Sequence, residues 1–243
     1  MAGIWIMLAL TLLVSMGLTW GLFRLMHMPC KRYGWLVVLG LPLSALVNIF
    51  VKAPIIKLAA NMGGFSPQFS ADAPFWFLVF AWLISPFTEE LIKVLPLVIP
   101  QVKRVGKGTW SGLRVGFALG IGFGLGEAIY LAWQVSVVPD YAALPWYMFT
   151  GFLIERVEAI IAHGLMTAVA CYGLWKGGLW RVGGLLIAMA MHAFLNAGAM
   201  AYQLGWVSVS FATLWTPLGV ALDGFIVGWL NSRARREEDL AVG

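Results

Sequence analysis

The stretch SGLRVGFALGIGFGLGEAIYLAWQVS, residues 111 to 136, is longer than the roughly 20 apolar residues that a helix needs to cross a membrane. Small residues recur in it at every fourth position, which is the spacing of one helix face. They are Gly112, Gly116, Gly120, Gly124, Ala128 and Ala132. Because such a stripe lets another helix approach closely, the stretch predicts a membrane helix packed inside a bundle.

The rest of the chain has the same apolar character. Of its 243 residues, 61% are hydrophobic and only 11% are charged, a composition far from that of soluble domains. Stretches that could each span a bilayer lie near residues 3–24, 34–56, 74–99, 111–136, 146–175, 179–203 and 207–230. We therefore expect an all-α polytopic membrane protein, a bundle of about seven transmembrane helices forming a single integral membrane domain over residues 1–243.

The distribution of cations predicts the orientation of this bundle. Most Lys and Arg residues fall at one end of the predicted helices, whereas only Lys52 and Lys57 fall in loops at the other end. The positive-inside rule then places the N-terminus outside and the C-terminus in the cytoplasm. The first apolar stretch has no basic residues before it, so we expect a retained span and not a signal peptide.

The same distribution bears on partners and localisation. The net charge of +5 reflects loops that face anionic lipid, so it does not indicate nucleic-acid binding. The lipid bilayer is the expected partner, and a prokaryotic cell membrane is the expected location.

Three segments are predicted to depart from regular helix. The Gly, Ser and Pro content of KLAANMGGFSPQFSADAP, residues 57 to 74, favours a loop. Ser85 and Pro86 favour a kink or a restart of the third helix, because proline cannot donate a backbone hydrogen bond. Such a break would admit water to the acidic residues that follow. The charged tail, residues 231–243, is predicted to be flexible.

Ionisable residues inside these spans carry the functional signal. Each costs roughly 2.5 to 3.5 kcal/mol near the bilayer centre, so such residues are candidates for function. They are Glu89, Glu90, Lys93, Glu127, Glu155, Arg156, Glu158, His163 and His192. Those nearest the predicted mid-membrane level are Glu89, Glu90, Glu127, His163 and His192. We expect these five side chains to share one water-filled cavity, and the cluster of Glu155, Arg156 and Glu158 to be structural.

Helical spacing relates several of these residues to each other. Lys93 follows Glu89 and Glu90 by three or four positions and is expected to lie beneath both. Asn196 is expected on the same face as His192, four residues earlier. A buried carboxylate pair suits a general base for water, and an Asn with a His could donate hydrogen bonds to an oxyanion.

Four motifs carry a family resemblance. TEELIK begins at residue 88, GFGLGEAIY at 122, ERVEAIIAHG at 155 and HAFLN at 192, all inside a core of residues 85–200. In this order they resemble the EExxK, FxxxE, arginine–histidine and HxxxN-type motifs of PrsW-like intramembrane proteases. The YhfC-type membrane peptidases are close cousins, and the wider group includes the CAAX-processing and Abi proteins.

The resemblance implies hydrolysis of a peptide bond in a membrane-protein substrate, such as a single-span regulator of the anti-sigma-factor kind. It implies that Glu89 activates water with support from Glu90, and that His192 and Asn196 hold the oxyanion. It leaves open whether Glu127 and His163 position the water or help to bind a metal. Lys93 and Arg156 would support the site.

The cofactor and the function class both have alternatives. A metal-free glutamate mechanism is favoured and no cofactor is expected, although a Glu with two His could also bind zinc. Intramembrane Glu and His residues also form proton relays, which would make the protein a proton-coupled transporter or channel. A non-catalytic membrane scaffold is the third hypothesis.

Overall fold

The computed structural model describes residues 2–66 and 73–242, with side chains up to Glu237. This part of the chain forms helices and no strands. Long apolar helices are α1 Ala2–Leu25, α2 Cys30–Gly63, α3 Phe75–Val98, α4 Thr109–Ser136, α5 Trp146–Lys176, α6 Trp180–Gln203 and α7 Val209–Glu237. The prediction of an all-α bundle with seven membrane-spanning helices is confirmed. Helical structure continues from α7 to Val242, through the tail that was predicted to be flexible.

Helices α4 and α5 form the centre of the bundle. In their apolar segments 78% and 72% of the residues are buried, against 17% to 33% in the other five helices. A Cβ atom on Gly116 or Gly120 would collide with the backbone carbonyls of Thr167 or His163 on α5. The predicted role of the small-residue stripe in close helix packing is confirmed, and α5 is the helix that it admits.

A second small face of α4 contacts α2. A Cβ atom on Gly122 would meet the carbonyl of Val37, and one on Gly126 would meet the carbonyl of Leu41. These two glycines lie outside the predicted stripe. Helix α4 is therefore held closely on two sides, by α5 and by α2.

Helix α2 is longer and less regular than predicted. It contains a π-helical turn, Asn48–Lys52, and continues as an α-helix over Ala53–Gly63. Residues 57–63 of the predicted loop are therefore helical, and residues 67–72 of that loop lie outside the described part. The π-helical turn inserts an extra residue into the helix and so changes the direction of the side chains that follow it.

Helix α3 continues through Pro86. Its α-helical part is unbroken over Phe75–Val94, so of the two predicted alternatives, a kink or a restart, the restart is wrong. Inside a bundle, neighbouring groups can replace the single backbone hydrogen bond that a proline removes. Here the hydroxyl of Thr88 also donates to the carbonyl of Ile84 at 2.7 Å, within the same turn.

The order of the helices defines two ends of the bundle. Because successive spans run in opposite directions, α1, α3, α5 and α7 begin where α2, α4 and α6 end. We call this the N-terminal end. The functional side chains described next lie past the midpoint of α2, α3 and α4 and around the middle of α5 and α6.

Candidate active site

Helix α3 places three charged side chains next to each other in the interior. Glu89, Glu90 and Lys93 are each at most 1% exposed. The Nζ of Lys93 donates to Oε1 of Glu90 at 2.6 Å, the contact expected one turn apart. It also lies 4.5 Å from the ring centroid of Phe123, in a cation–π contact. Glu90 therefore has its countercharge within its own helix.

Glu89 obtains its countercharge from α2. The Nζ of Lys52, the last residue of the π-helical turn, donates to Oε1 of Glu89 at 2.7 Å. The expectation that Lys93 lies beneath both acids is thus correct for Glu90 only. The predicted position of Lys52 in a loop is wrong, since the π-helical turn directs it inward. Its place inside the predicted span 34–56 was a signal of an interior role.

His192 connects α6 to both acids of α3. Its Nδ1 lies 2.8 Å from Oε1 of Glu90, and its Nε2 lies 3.8 Å from Oε2 of Glu89. Because a carboxylate only accepts hydrogen bonds, Nδ1 carries the proton in this pair. In the neutral tautomer that carries this proton, the lone pair of Nε2 is directed toward Glu89. Oε2 of Glu89 is buried and has no hydrogen-bond partner.

His163 connects the acids of α3 to α4. The Nζ of Lys93 lies 2.7 Å from its Nδ1, and Oε2 of Glu127 lies 3.1 Å from its Nε2. An ammonium group only donates, so Nδ1 accepts and Nε2 donates to the carboxylate. Both nitrogens of His163 are therefore engaged, whereas His192 keeps one free. The two imidazole rings lie edge to face with centroids 5.3 Å apart.

Arg156 of α5 completes this side of the site. Its NH1 donates to Oε2 of Glu127 at 2.8 Å, and its Nε donates to Glu155 at 2.8 Å. The side chain of Glu155 is 53% exposed, as expected for a residue near the membrane boundary. Glu158 has no ion-pair partner in the described part of the chain and lies outside the cavity. The three residues of the predicted structural cluster therefore do not act alike, because Arg156 also binds the interior acid Glu127.

Three cations of the site are each paired with one of its carboxylates. The cations Lys52, Lys93 and Arg156 face the carboxylates Glu89, Glu90 and Glu127. Hydrogen bonds run without a gap from Glu127 through His163, Lys93 and Glu90 to His192. Buried charges are tolerated when they are paired and hydrogen-bonded, which explains how one membrane interior holds so many.

These side chains surround a cavity of about 140 Å³. The predicted site residues that line it are Glu89, Glu127, Arg156, His163, His192 and Asn196. Glu90 and Lys93 do not line the cavity but contact the two histidines that do, His192 and His163 respectively. Lys52, Ser85 and Thr216 also line it and were not predicted as site residues. The cavity can hold a few water molecules, since each occupies about 30 Å³ in the liquid. Four of the five predicted central groups thus line one cavity, and the fifth, Glu90, lies behind it.

The donors around this cavity have the composition of a zinc site. One ligand atom each from Glu89, His163 and His192 lies within 4.8 Å of the others. A carboxylate with two imidazoles is a known catalytic zinc set. Oε2 of Glu89 and Nε2 of His192 are free to bind a cation, and His163 would first have to release Lys93 or Glu127. The set fits a zinc-type cation in composition and spacing.

Fold and site together define a polytopic helical membrane protein with a buried carboxylate–imidazole centre. The model of one family, the PrsW family intramembrane metalloproteases, matches residues 31–222. The chain belongs to this family, and the resemblance carried by its four motifs is confirmed. No match was found among curated proteins or among solved structures. Family membership supports intramembrane peptidase activity over the transporter and scaffold hypotheses.

Proposed function

We propose that the protein is an intramembrane endopeptidase that cuts a single-span membrane protein by means of water activated by Glu89. The observation that carries this proposal is a pair of atoms in the residues lining the cavity, one of which, Oε2 of Glu89, has no hydrogen-bond partner. Oε2 of Glu89 and the Nε2 lone pair of His192 face each other at 3.8 Å, a separation that one water molecule can bridge. A water molecule that donates its two protons to these acceptors keeps an oxygen lone pair free for nucleophilic attack.

In the first step, Glu89 takes a proton from this water as the oxygen attacks the carbonyl carbon of the substrate. Lys52 holds Glu89 in place through Oε1, which leaves Oε2 for the water. In the second step, the proton on Glu89 passes to the leaving nitrogen as the C–N bond breaks. The products are a new carboxyl group and a new amine, so atoms and protons balance.

The oxyanion formed by the attack needs a hydrogen-bond donor. Family resemblance assigns this role to His192 and Asn196. In this mechanism His192 is the neutral tautomer with its proton on Nδ1, bonded to Glu90, so its Nε2 accepts and does not donate. We therefore assign the donor role to the Asn196 amide, which lines the same cavity, and the water-holding role to His192.

Glu89, His163 and His192 would hold a metal ion, which would lower the pKa of a bound water and polarise the carbonyl. We favour the ion-free arrangement because Lys52, Lys93 and Arg156 already supply the countercharges of Glu89, Glu90 and Glu127. We expect cleavage to survive chelation, with no stoichiometric metal in the active protein. Stoichiometric metal that is lost together with activity would contradict the glutamate mechanism.

The substrate is expected to reach the cavity from the N-terminal end of the bundle. The cavity lining, which includes Ser85, Arg156 and Asn196, continues into an opening of about 250 Å³ between α3 and α6. This opening extends to Gln203, at the N-terminal end. If the cationic loops are cytoplasmic, this end faces the outside of a prokaryotic cell.

Cleavage by matched variants tests the proposal. The purified protein in nanodiscs is incubated with a panel of single-span proteins, and products are identified by mass spectrometry. Replacing the general base should lower the rate by about 10²- to 10⁴-fold in Glu89→Gln. The control is Glu158→Gln, a partly buried acid of α5 outside the cavity, which should cleave like the wild type. Equal rates in Glu89→Gln and wild type would remove the base assignment.

A further inference from the structure

A second groove reaches the catalytic cavity from the side of α2 and α4. It has a volume of about 490 Å³, and its polar lining comprises Asn48, Lys52, Lys57, Glu127, Tyr130 and Gln134. Lys52 and Glu127 line both this groove and the cavity. We call it the α2–α4 groove. A molecule lying in the groove would therefore have one end at the reacting groups.

The lining of this groove is too polar for a surface that serves only to face lipid. Amide and phenol groups of Asn48, Tyr130 and Gln134 lie on its walls, and Gln134 donates to the hydroxyl of Tyr130 at 2.9 Å. Hydrogen-bonding groups placed at a membrane helix surface typically face water or a polar ligand. A peptide backbone, which has both donors and acceptors, is such a ligand.

The charges of the groove favour an anionic ligand. Lys57 is exposed, and within the described part of the chain it has no ion-pair partner. Lys52 has Glu89 as a partner, but its side chain is still 18% exposed. The carboxylate of Glu127 also lines the groove, yet it is already bound by Arg156 and His163. The charge left without a partner on this wall is therefore positive.

We propose that the α2–α4 groove binds, through Lys57, an acidic residue of the substrate that lies about two or three positions from the bond that is cut. This proposal rests on the proposed peptidase function and adds a sequence preference to it. A peptide is favoured over an anionic lipid headgroup because the groove shares Lys52 and Glu127 with the cavity.

The spacing of the two lysines indicates where the acidic residue lies in the substrate. Lys52 contacts Glu89 and so marks the reaction centre. Lys57 is five residues farther along α2, which corresponds to about 7.5 Å of helix rise. An extended peptide covers about 3.3 Å per residue. The acidic residue is therefore expected about two or three positions from the cleaved bond.

The test uses three synthetic single-span peptides that differ only at two residues flanking the span, on the side that faces the N-terminal end of the bundle. Both residues are Asp in the first peptide, Asn in the second and Lys in the third. Binding is measured by fluorescence anisotropy to the Glu89→Gln protein in nanodiscs of zwitterionic lipid, so that the peptides stay intact. The Asp peptide should bind about fivefold more tightly than the Asn peptide, the gain of one partly shielded ion pair.

Charge reversal provides the decisive comparison. Adding Lys57→Glu should invert the order, so that the Lys peptide binds best. The matched control is Lys31→Glu, an exposed lysine at the opposite end of α2, which should keep the preference for Asp. Equal binding of the three peptides, or an order unaffected by Lys57→Glu, would overturn the proposal. Lysine-dependent binding of anionic lipid without discrimination among the peptides would also overturn it.

Cleavage of the same peptides by the wild type separates this proposal from the peptidase function. Cleavage of all three at equal rates would reject the acidic preference and leave the peptidase intact. Charge-dependent binding without cleavage of any peptide would support the groove and count against the peptidase.

Discussion

Two pairs of helices that contribute to the site differ in how they are packed. Helices α4 and α5 are mostly buried and meet through glycines that admit no side chain between them. Helices α2 and α3 are only one third buried in their apolar segments, and each contains an irregular element, the π-helical turn and Pro86. The close-packed pair supplies Glu127 and His163, whereas the more exposed pair supplies Glu89 with its partner Lys52.

This difference suggests a division of roles. Close packing fixes the positions of side chains, so the α4–α5 pair provides an ordered wall. Irregular helical turns occur often at functional sites, where they redirect a side chain. Each opening to the cavity is bordered by one helix of each pair, and the reacting acid is carried by the irregular pair. The following predictions test this division.

The largest effect on stability is expected from Lys93→Met. The side chain of Lys93 is fully buried, so its loss leaves Glu90 charged and unpaired in the interior, at a cost of about 3 to 5 kcal/mol. Lys52→Met should cost less, because Lys52 is partly exposed and Glu89 borders the cavity. The free energy of unfolding of both variants in detergent checks this order. A smaller loss in Lys93→Met than in Lys52→Met would contradict it.

An intermediate effect is expected from Gly120→Ala. The added methyl group would press against the carbonyl of His163, and overpacking of this kind costs about 1 to 3 kcal/mol. The control is Gly34→Ala in α2, where a Cβ atom meets nothing within 4 Å. Thermal unfolding should show a lower midpoint for Gly120→Ala only. If both variants unfold like the wild type, α4 and α5 are less closely packed than described.

The smallest effect is expected from Lys176→Ala. Lys176 binds Glu237 at the other end of the bundle, where both side chains are about one quarter to one third exposed. Surface ion pairs contribute about 0 to 1 kcal/mol. Cleavage rate and unfolding midpoint should both stay close to the wild-type values. A large loss of activity would show that the end of α7 acts on the distant site.

The sequence predicts most of the fold because membrane spans depend on local composition. Apolar length alone located the seven helices, and the spacing of Gly116 and Gly120 predicted a close helix contact. The cost of burying charge likewise indicated Glu89, Glu127, His163 and His192 as neighbours. Each of these predictions depends only on a residue and its neighbours in the sequence.

The remaining features depend on contacts between distant residues. Lys52 was predicted in a loop because local charge counting does not reveal a π-helical turn or a partner 37 residues away. The restart at Pro86 was predicted because local rules omit the neighbouring helices that support α3. The two tautomers of His163 and His192 follow from opposite partners, an ammonium and a carboxylate, and spacing alone does not determine which partner each ring meets.

The central claim is that Glu89 and His192 act as one unit on one water molecule. The most direct test is a double-mutant cycle of cleavage rates for Glu89→Gln, His192→Ala and the combined variant. Residues that act together lose activity non-additively. The double variant should therefore be about as slow as the slower single variant. Losses that multiply, with each variant reducing the rate by the same factor whether or not the other is present, would contradict a shared water.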